Sequence, residues 1–247
     1  MLIWSGPVNP MQVGVIADIQ GNAFALETVL ALLKQSQVDR IICLGDLVSG
    51  PEPHAVLDLL RSHDVISVRG NMDDVILDPA DYHGVDVEQM RYARIDRWCH
   101  DQLSQADRTY LNGLPLTHSL EFGSLNALCF HGSPSSMEDV IDGNSPVEYL
   151  YEVFKDYQER YLLTGHMHLP MLRSLGPQIV LNPGSVGLPY GGKRMMPTRA
   201  EYAILGADQE RDRVTFCNIQ YDPSQFAERV LQSGMPHAEW FLSKWQI

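Results

Sequence analysis

Short apolar runs that end in a polar residue set the organisation of this chain of 247 residues. The first three runs are QVGVIA, RIICLG and DVISVRG, and they end at Asp18, Asp46 and Asn71. Such runs are typical of buried strands, and the segments between them have the spacing of helices. Asn22 stands where the first helix needs an N-cap. Strands that alternate with helices predict a parallel sheet with right-handed crossovers.

The second half of the chain returns to strands. Residues 115–123 and 124–130 predict an antiparallel pair that turns near Gly123 and ends at His131. The run RYLLTG (160–165) predicts a further strand that ends at His166. Residues 200–205 and 213–219 predict a closing antiparallel pair, and Pro223–Ser233 predicts a last helix. The chain therefore combines parallel and antiparallel strands.

The domain organisation is predicted to be simple. Residues 11–247 form a single domain, and residues 1–10 are a loose extension, so that Met11 is an alternative start. Residues 74–113 are more polar and form a helical insertion, with clear helical spacing over Met90–Leu103. We expect this insertion to lie over the edge of the sheet. It serves either as scaffold or as a wall that shapes the choice of substrate.

The charge balance limits the partners of the protein. Asp and Glu number 31 against 18 Lys and Arg, a formal net charge of −13. This surface repels polyanions and argues against long nucleic acid, although metal ions can reverse the sign locally. The four cysteines are scattered, which favours a reducing, cytoplasmic compartment. No stretch is long and apolar enough to predict a membrane span or a signal peptide.

Six candidate metal ligands stand at the carboxyl ends of the predicted strands. They are Asp18, Asp46, Asn71, His131, His166 and His168. In open α/β sheets ligands bind outside these strand ends, so residues distant in sequence meet at one rim. Taken singly, each residue has an ordinary explanation as an N-cap, a turn former or a core or surface histidine. Their shared placement, with glycines beside them, predicts a metal site of carboxylate, amide and imidazole groups.

Six sequence blocks carry a resemblance to a known family. In order they are DIQGN (18–22), GDLVSG (45–50), GNMDD (70–74), HGSP (131–134), GHMH (165–168) and NPGSVG (182–187). The set resembles the calcineurin-like metallophosphoesterases and is most similar to their small bacterial phosphodiesterase and phosphatase branch. The resemblance covers about residues 12–235. It implies an α/β fold of two stacked mixed β-sheets flanked by helices, a four-layer α/β/β/α sandwich.

The resemblance also implies two divalent metal ions, with Mn, Fe or Zn as candidates, that share Asp46 as a bridge. The ligands that complete the first metal are Asp18, Gln20 and His168. Those that complete the second are Asn71, His131 and His166. Such a pair clamps a phosphoryl group and generates a bridging hydroxide that attacks phosphorus. On this hypothesis Asp46, Asn71 and His131 are catalytic, and the substrate is a small phosphodiester or phosphomonoester.

Two positions depart from the family pattern. Gln20 stands where the family usually has His, and an amide oxygen is a weaker ligand than imidazole for a transition metal. We therefore expect the first metal to be the more weakly bound of the two. Met72 stands where many members have His, and a thioether cannot donate a proton to a leaving group. Slow turnover of esters with poor leaving groups is the expected consequence.

These departures keep a second hypothesis open. The chain could be a binding or regulatory protein that keeps the metallophosphoesterase fold with weak or no catalysis, as the retromer subunit of this fold shows. Retention of the other six ligands favours the enzyme. A homo-oligomer is left open, since no apolar stripe defines an interface.

Four polar residues near the predicted site have two interpretations each. Asn22 either contacts a phosphate oxygen or only caps a helix. Arg69 contacts the substrate or forms a surface ion pair, with the ion pair favoured. Ser185 lies in a glycine loop that could approach an anion, and a tight turn that supports the histidine loop is favoured. Asp73 either orients His131 or His166, or belongs to a solvated helix start.

Overall fold

The computed structural model describes residues 11–79, 86–191, 195–207 and 212–247. The predicted extension over residues 1–10 lies outside this range. The described strands are β1 (Met11–Ile16), β2 (Arg40–Cys43), β3 (Ile66–Ser67), β4 (Thr117–Phe122), β5 (Leu125–Phe130), β6 (Tyr161–Leu163), β7 (Met171–Leu175), β8 (Gln178–Asn182), β9 (Arg199–Ala207) and β10 (Asp212–Gln220). The described helices are α1 (Ala23–Gln35), α2 (Pro53–Ser62), α3 (Asn71–Leu77), α4 (Val87–Gln102), α5 (Gln105–Asn112), α6 (Val147–Phe154), α7 (Pro223–Gln232) and α8 (Ala238–Leu242).

The strands form two five-stranded sheets. The first has the order β10-β9-β1-β2-β3, in which β1, β2 and β3 run parallel and β9 is antiparallel to β1. The second has the order β4-β5-β6-β8-β7, in which the pairs β5·β6 and β6·β8 are parallel. The antiparallel pair β4·β5 turns at Gly123, whose φ of +63° suits glycine. Both sheets are therefore mixed, as predicted.

Three apolar clusters define four layers. Val15, Leu44 and Leu163 belong to the cluster between the two sheets, to which both contribute fully buried side chains. A second cluster joins the outer face of the first sheet to α1, α2 and α7. A third, which includes Leu150 and Phe154 of α6, covers the outer face of the second sheet. The predicted four-layer α/β/β/α sandwich is confirmed.

Local signals explain where the elements near the site begin. Asn22 caps α1 by accepting a hydrogen bond from the amide of Ala25 at 3.0 Å, as its position in the sequence predicts. Pro53 occupies the first turn of α2. The strand predicted over 64–70 is shorter in the structure, because the chain leaves the sheet after Ser67 and the Arg69 amide bonds to the carbonyl of Pro115.

The helical region in the middle of the chain contains α3, α4 and α5. Helix α3 begins at Asn71 itself, so this predicted ligand is part of a helix. His100 of α4 contacts the carbonyl of Ile76 through Nδ1 at 2.8 Å, which joins α4 to α3. Within the described part of the chain, no helix has both the length and the apolar composition to cross a membrane.

Candidate metal centre

The structure brings all six predicted strand-end ligands to one edge of the sandwich. Asp18 follows β1, Asp46 follows β2, and His131 comes directly after β5. His166 and His168 lie in the loop after β6. The parallel strands β1 and β2 end at the same edge, as do β5 and β6 of the second sheet, and the two edges meet.

One group of side chains is centred on Asn71. Its Oδ1 lies 2.9 Å from Nε2 of His131 and 3.1 Å from Nδ1 of His166. The two imidazole rings meet edge to face, with their centroids 5.1 Å apart. Three donor atoms thus point at a common region, in the grouping that the resemblance implies for one metal.

A second group is centred on Asp18, a fully buried residue. Its Oδ1 lies 3.4 Å from Nε2 of His168 and accepts a hydrogen bond from the His166 amide at 3.2 Å. Its Oδ2 is buried and has no hydrogen-bond partner among the described residues. A buried carboxylate oxygen without a partner is costly, and a bound cation would satisfy it. The side chains therefore fit a metal.

Asp46 lies between the two groups. Its Oδ1 accepts a hydrogen bond from the Met72 amide at 2.8 Å and lies 3.3 Å from Nε2 of His131. Its Oδ2 accepts a hydrogen bond from Nε2 of Gln20 at 2.8 Å. Oxygen and nitrogen atoms of Asp18, Asp46 and His131 lie within 4.8 Å of one another, a spacing that suits a metal ion. Each oxygen of Asp46 thus faces a different group.

Two of the histidines are oriented by backbone carbonyls. Nδ1 of His131 contacts the carbonyl of Leu44 at 2.6 Å, and Nδ1 of His168 contacts the carbonyl of Leu188 at 2.6 Å. A carbonyl only accepts, so each Nδ1 carries a proton, and each Nε2 faces the site, where it offers a lone pair once the ring is neutral. Hydrogen bonds of this kind fix metal-binding histidines in proteins.

The backbone around the site is unusual. Five of the predicted ligands have φ between 50° and 68°. They are Asp18, Gln20, Asp46, His166 and His168. This left-handed conformation is unfavourable for residues other than glycine, and such residues cluster at functional sites. Gly70 allows the loops to approach, because a Cβ there would lie 2.2 Å from Oδ1 of Asp46.

The charges in the site favour a bound cation. Burial lowers the pKa of His131, but the neighbouring Asp46 outweighs this and raises it to about 10. Burial raises the pKa of Asp46, but the charge of His131 and its hydrogen bonds lower it overall. The pKa of His166 is lowered by burial and by the charge of His131. The carboxylates that hold a proton on His131 would equally hold a metal, and metal binding would release that proton.

A cavity of about 430 Å³ opens over the site. Its floor contains Gln20, Asp46, Asn71, His166 and His168. Its walls contain Ser49, Gly50, Met72, Tyr92, Ile95, Asp96, Leu188 and Phe241. Helix α4 therefore forms part of the wall, together with α8. The volume lies at the lower end of the range for pockets that bind small molecules.

The three predicted substrate contacts have other partners in the structure. Asn22 is buried and donates from Nδ2 to the carbonyl of Gly187 and the hydroxyl of Tyr221, both at 3.2 Å. Ser185 is buried and donates to the carbonyl of Asp18 at 2.7 Å. These contacts favour the structural interpretation of both residues, and neither lines the cavity.

Arg69 also has a structural role. Its Nε lies 3.1 Å from Oδ1 of Asp74, and its Nη1 donates to the carbonyl of Asn112 at 3.3 Å. The guanidinium thus joins α3 to the end of α5. This contact agrees with the ion pair expected from the sequence.

Asp73 is fully buried, and its described hydrogen bonds go to backbone amides and not to a histidine. Its carboxylate accepts hydrogen bonds from the amides of Asp46, Leu47 and Gly70 at 3.1, 2.8 and 2.9 Å. Asp73 therefore belongs to the start of a helix, as one expectation had it, but it is buried there and not solvated. It holds the loop after β2 against the start of α3, and its position three residues after Gly70 was the available signal.

Comparison with known proteins identifies the class of protein that this fold and site define. The Calcineurin-like phosphoesterase superfamily domain matches residues 11–210, and the chain belongs to this superfamily. The predicted family is confirmed. The superfamily is metal-dependent, which agrees with the donor atoms gathered around Asp18, Asp46 and His131.

Individual relatives align over most of the chain. Phosphodiesterase YfcE of Escherichia coli is 28% identical over 209 residues, which cover 80% of this chain and 89% of the relative. An uncharacterized protein of Methanocaldococcus jannaschii is 27% identical over 250 residues, which cover 92% and 94%. The crystal structure of a metallophosphoesterase from Sphaerobacter thermophilus superposes with a TM-score of 0.74 at 26% identity and covers 96% and 98% of the two chains.

Proposed function

We propose that the protein is a metal-dependent hydrolase of small phosphodiesters or phosphomonoesters. The observation that carries this proposal is Oδ2 of Asp18, which is buried and has no hydrogen-bond partner in the described part of the chain, beside His131 and His168, whose Nε2 atoms face the site. A folded protein leaves a carboxylate oxygen in this state at a cost of about 1–3 kcal/mol or more. A cation would remove this cost.

The two groups of side chains would hold two divalent ions, Mn, Fe or Zn, with Asp46 shared between them. Asp18 and His168 would hold the first, with Gln20 beside them. Asn71, His131 and His166 would hold the second. When bound, such ions supply an activated water as nucleophile and neutralise charge on the phosphoryl oxygens.

The residues of the chain supply orientation and exclusion of water. The carbonyls of Leu44 and Leu188 orient His131 and His168, so that the Nε2 atoms of the neutral rings would be directed at the proposed metal ions. Apolar side chains in the cavity wall, such as Ile95, Leu188 and Phe241, limit the water around the reacting groups. The cavity of about 430 Å³ favours a small ester over a polymer.

The Escherichia coli relative is named a phosphodiesterase, which supports a diester as substrate. The net charge of −13 supports a small substrate, since it disfavours a long polyanion. We therefore place small phosphodiesters first and phosphomonoesters second.

The test is an assay on metal-stripped protein. Mn²⁺ is added back, and hydrolysis of bis-p-nitrophenyl phosphate and p-nitrophenyl phosphate is measured for the parent, His131→Ala and Asp46→Asn. We expect metal-dependent activity in the parent and a loss of at least about 100-fold in both variants. The ratio of the two substrates separates diesterase from monoesterase.

Matched controls come from exposed positions. His63→Ala removes an exposed histidine, and Asp64→Asn changes an exposed aspartate whose φ of 51° asparagine also accepts. Both should retain the activity of the parent. Full metal occupancy without hydrolysis would instead favour the second candidate, a binding or regulatory protein. The hydrogen bond from Gln20 to Asp46 is the observation that favours that alternative.

A further inference from the structure

The cavity wall carries a carboxyl group that the proposed metal groups do not use. Asp96 lies on α4 and is only 7% exposed. It lines the same cavity as Asp46, Asn71 and His166. A carboxylate that faces a site for an anionic phosphoester repels the substrate while it is ionised, and it can donate a hydrogen bond or a proton while it is neutral.

The surroundings of Asp96 favour its neutral form. Tyr92, Ile95, Met72 and Phe241 line the same part of the molecule, and they offer mainly apolar surface. Burial raises the pKa of Asp96 to about 6, and a hydrogen bond from Ser49 opposes this increase. That bond, from Oγ of Ser49 to Oδ1 of Asp96, is long at 3.4 Å, so it compensates burial only weakly.

The position that serves the leaving group in many members of the family is Met72 in this chain, which also lines the cavity. A thioether carries no proton. We propose that Asp96 fills this role and donates the proton to the leaving oxygen of the substrate. The inference rests on the proposed function, because it concerns the second half of the same reaction.

The step is balanced in atoms and charge. The oxygen of a water molecule forms the new bond to phosphorus and gives up a proton to solvent, and the bond between phosphorus and the leaving oxygen breaks. The electron pair of that bond stays on the leaving oxygen, which takes the proton from the carboxyl group of Asp96. Asp96 is left as a carboxylate and regains a proton from solvent. The need for this proton grows with the basicity of the leaving oxygen.

Other titratable groups lie in the cavity and on the helices around it, and several of them have hydrogen-bond or ion-pair partners of their own. Those that line the cavity are Asp46, His166, His168 and Tyr92. Helix α4 also carries Glu88, Arg91, Arg94, Arg97, Cys99, His100 and Asp101. On α3, Asp73 bonds to backbone amides and Asp74 pairs with Arg69. On α2, His54 and Arg61 pair with Asp58 and Asp107. After α8, Lys244 pairs with Glu88 at 2.7 Å.

The experiment compares two leaving groups in the metal-loaded protein. For the parent and Asp96→Asn, hydrolysis of the p-nitrophenyl ester of phosphate is compared with hydrolysis of the unsubstituted phenyl ester of phosphate. The variant should lose about 10²–10⁴-fold in kcat on the phenyl ester and no more than about threefold on the p-nitrophenyl ester, whose leaving group needs little protonation. Asp101→Asn, an exposed position at the end of the same helix, should match the parent on both esters.

Ser49→Ala separates a proton donor from a helix anchor. Loss of the Ser49 hydroxyl removes the hydrogen bond that lowers the pKa of Asp96. For the phenyl ester, kcat/KM of the parent should fall as the pH rises above about 6, and this limb should move to higher pH in Ser49→Ala. Asp96→Asn should lack the limb.

A readout without catalysis accompanies these assays. In metal-stripped protein, the infrared difference spectrum between the parent and Asp96→Asn should show a protonated carboxyl band that belongs to the parent alone and disappears near pH 6. Equal losses on both esters in Asp96→Asn would overturn the inference, and so would a Ser49→Ala variant that reproduces Asp96→Asn. A parent that hydrolyses neither ester with full metal occupancy would overturn the proposed function itself.

Discussion

Gln20 donates a hydrogen bond from Nε2 of its side chain to Oδ2 of Asp46 at 2.8 Å. The amide therefore presents hydrogen atoms, which cannot ligate a metal, to the carboxylate proposed as the bridge. Its oxygen becomes a ligand only if the amide turns over and this hydrogen bond is lost. Without it, the first metal group has only Asp18 and His168 beside the shared Asp46.

This contact predicts unequal metal affinities. The parent should bind one Mn²⁺ tightly and a second at least about tenfold more weakly, a difference of about 1.4 kcal/mol or more. Gln20→His should strengthen the weaker site by about tenfold, because an imidazole lone pair replaces an N–H donor. Calorimetric titration of metal-stripped protein measures both constants. The control Gln105→His adds an exposed imidazole on α5, and two equal constants in the parent would contradict the prediction.

Gly70 provides a steric test of the site. A Cβ at this position would lie 2.2 Å from Oδ1 of Asp46, so Gly70→Ala must displace the carboxylate or the start of α3. We expect a stability loss of about 1–3 kcal/mol and weaker metal binding. Thermal unfolding with and without Mn²⁺ measures both effects. Gly143→Ala is the matched control, since no described atom outside the two adjacent residues lies within 4 Å of a Cβ there.

Asp73 should be more important for stability than for chemistry. Asp73→Ala leaves the buried amides of Asp46, Leu47 and Gly70 without their acceptor. Each unsatisfied amide costs about 1–3 kcal/mol, so we expect a total loss of about 3 kcal/mol or more in urea unfolding. Asp74→Ala breaks only a partly exposed ion pair with Arg69 and should cost about 0–1 kcal/mol. Similar losses in the two variants would show that the Asp73 bonds contribute little.

Asp107 predicts how stability depends on pH. Burial raises the pKa of Asp107, but hydrogen bonds from Ser104, Arg61 and His54 lower it to about 2 overall. This value lies below the unfolded value of about 3.9, so the stabilisation is present above pH about 4 and is lost as the pH falls toward 2. Because its partners are partly exposed, Asp107→Asn should cost only about 1 kcal/mol at pH 7.

The same variant should lose less of its remaining stability between pH 4 and pH 2 than the parent does. Urea unfolding at a series of pH values measures the slope for each protein. Asp58→Asn, which alters an exposed partner of the same Arg61, should keep the slope of the parent. An unchanged slope in Asp107→Asn would show that the acid sensitivity arises elsewhere.

Most of the fold could be predicted from the sequence, because hydrophobic periodicity and the polar residues at strand ends are local signals. The apolar runs before Asp18 and Asp46 predict β1 and β2, and Asn22 marks the start of α1. The strand before Asn71 was overestimated, since an apolar run does not reveal where the sheet loses its last partner. The short helix α8 was missed, because five residues are too few for a period to be recognised.

The candidate site could be predicted only in part from the sequence. Strand ends predict which residues converge, but they do not give the direction in which an amide or a carboxylate points. Asn22 and Ser185 therefore looked available to a substrate, whereas both are buried in contacts with other loops. Asp96 lies in the sequence between the GNMDD and HGSP blocks and belongs to neither of them. The packing of α4 over the site brings it to the cavity.

Five predicted ligands have a left-handed backbone, which constrains how the protein can evolve: Asp18, Gln20, Asp46, His166 and His168. At each position glycine would relieve about 1 kcal/mol of backbone strain. Backbone strain alone would therefore favour glycine, and the contacts of the side chains oppose it, as those of Asp46 with the Met72 amide and Gln20 do, so a descendant would reach glycine only where such contacts had lost their use. In this chain none of the five positions is glycine, and only Gln20 departs from the family's choice of ligand.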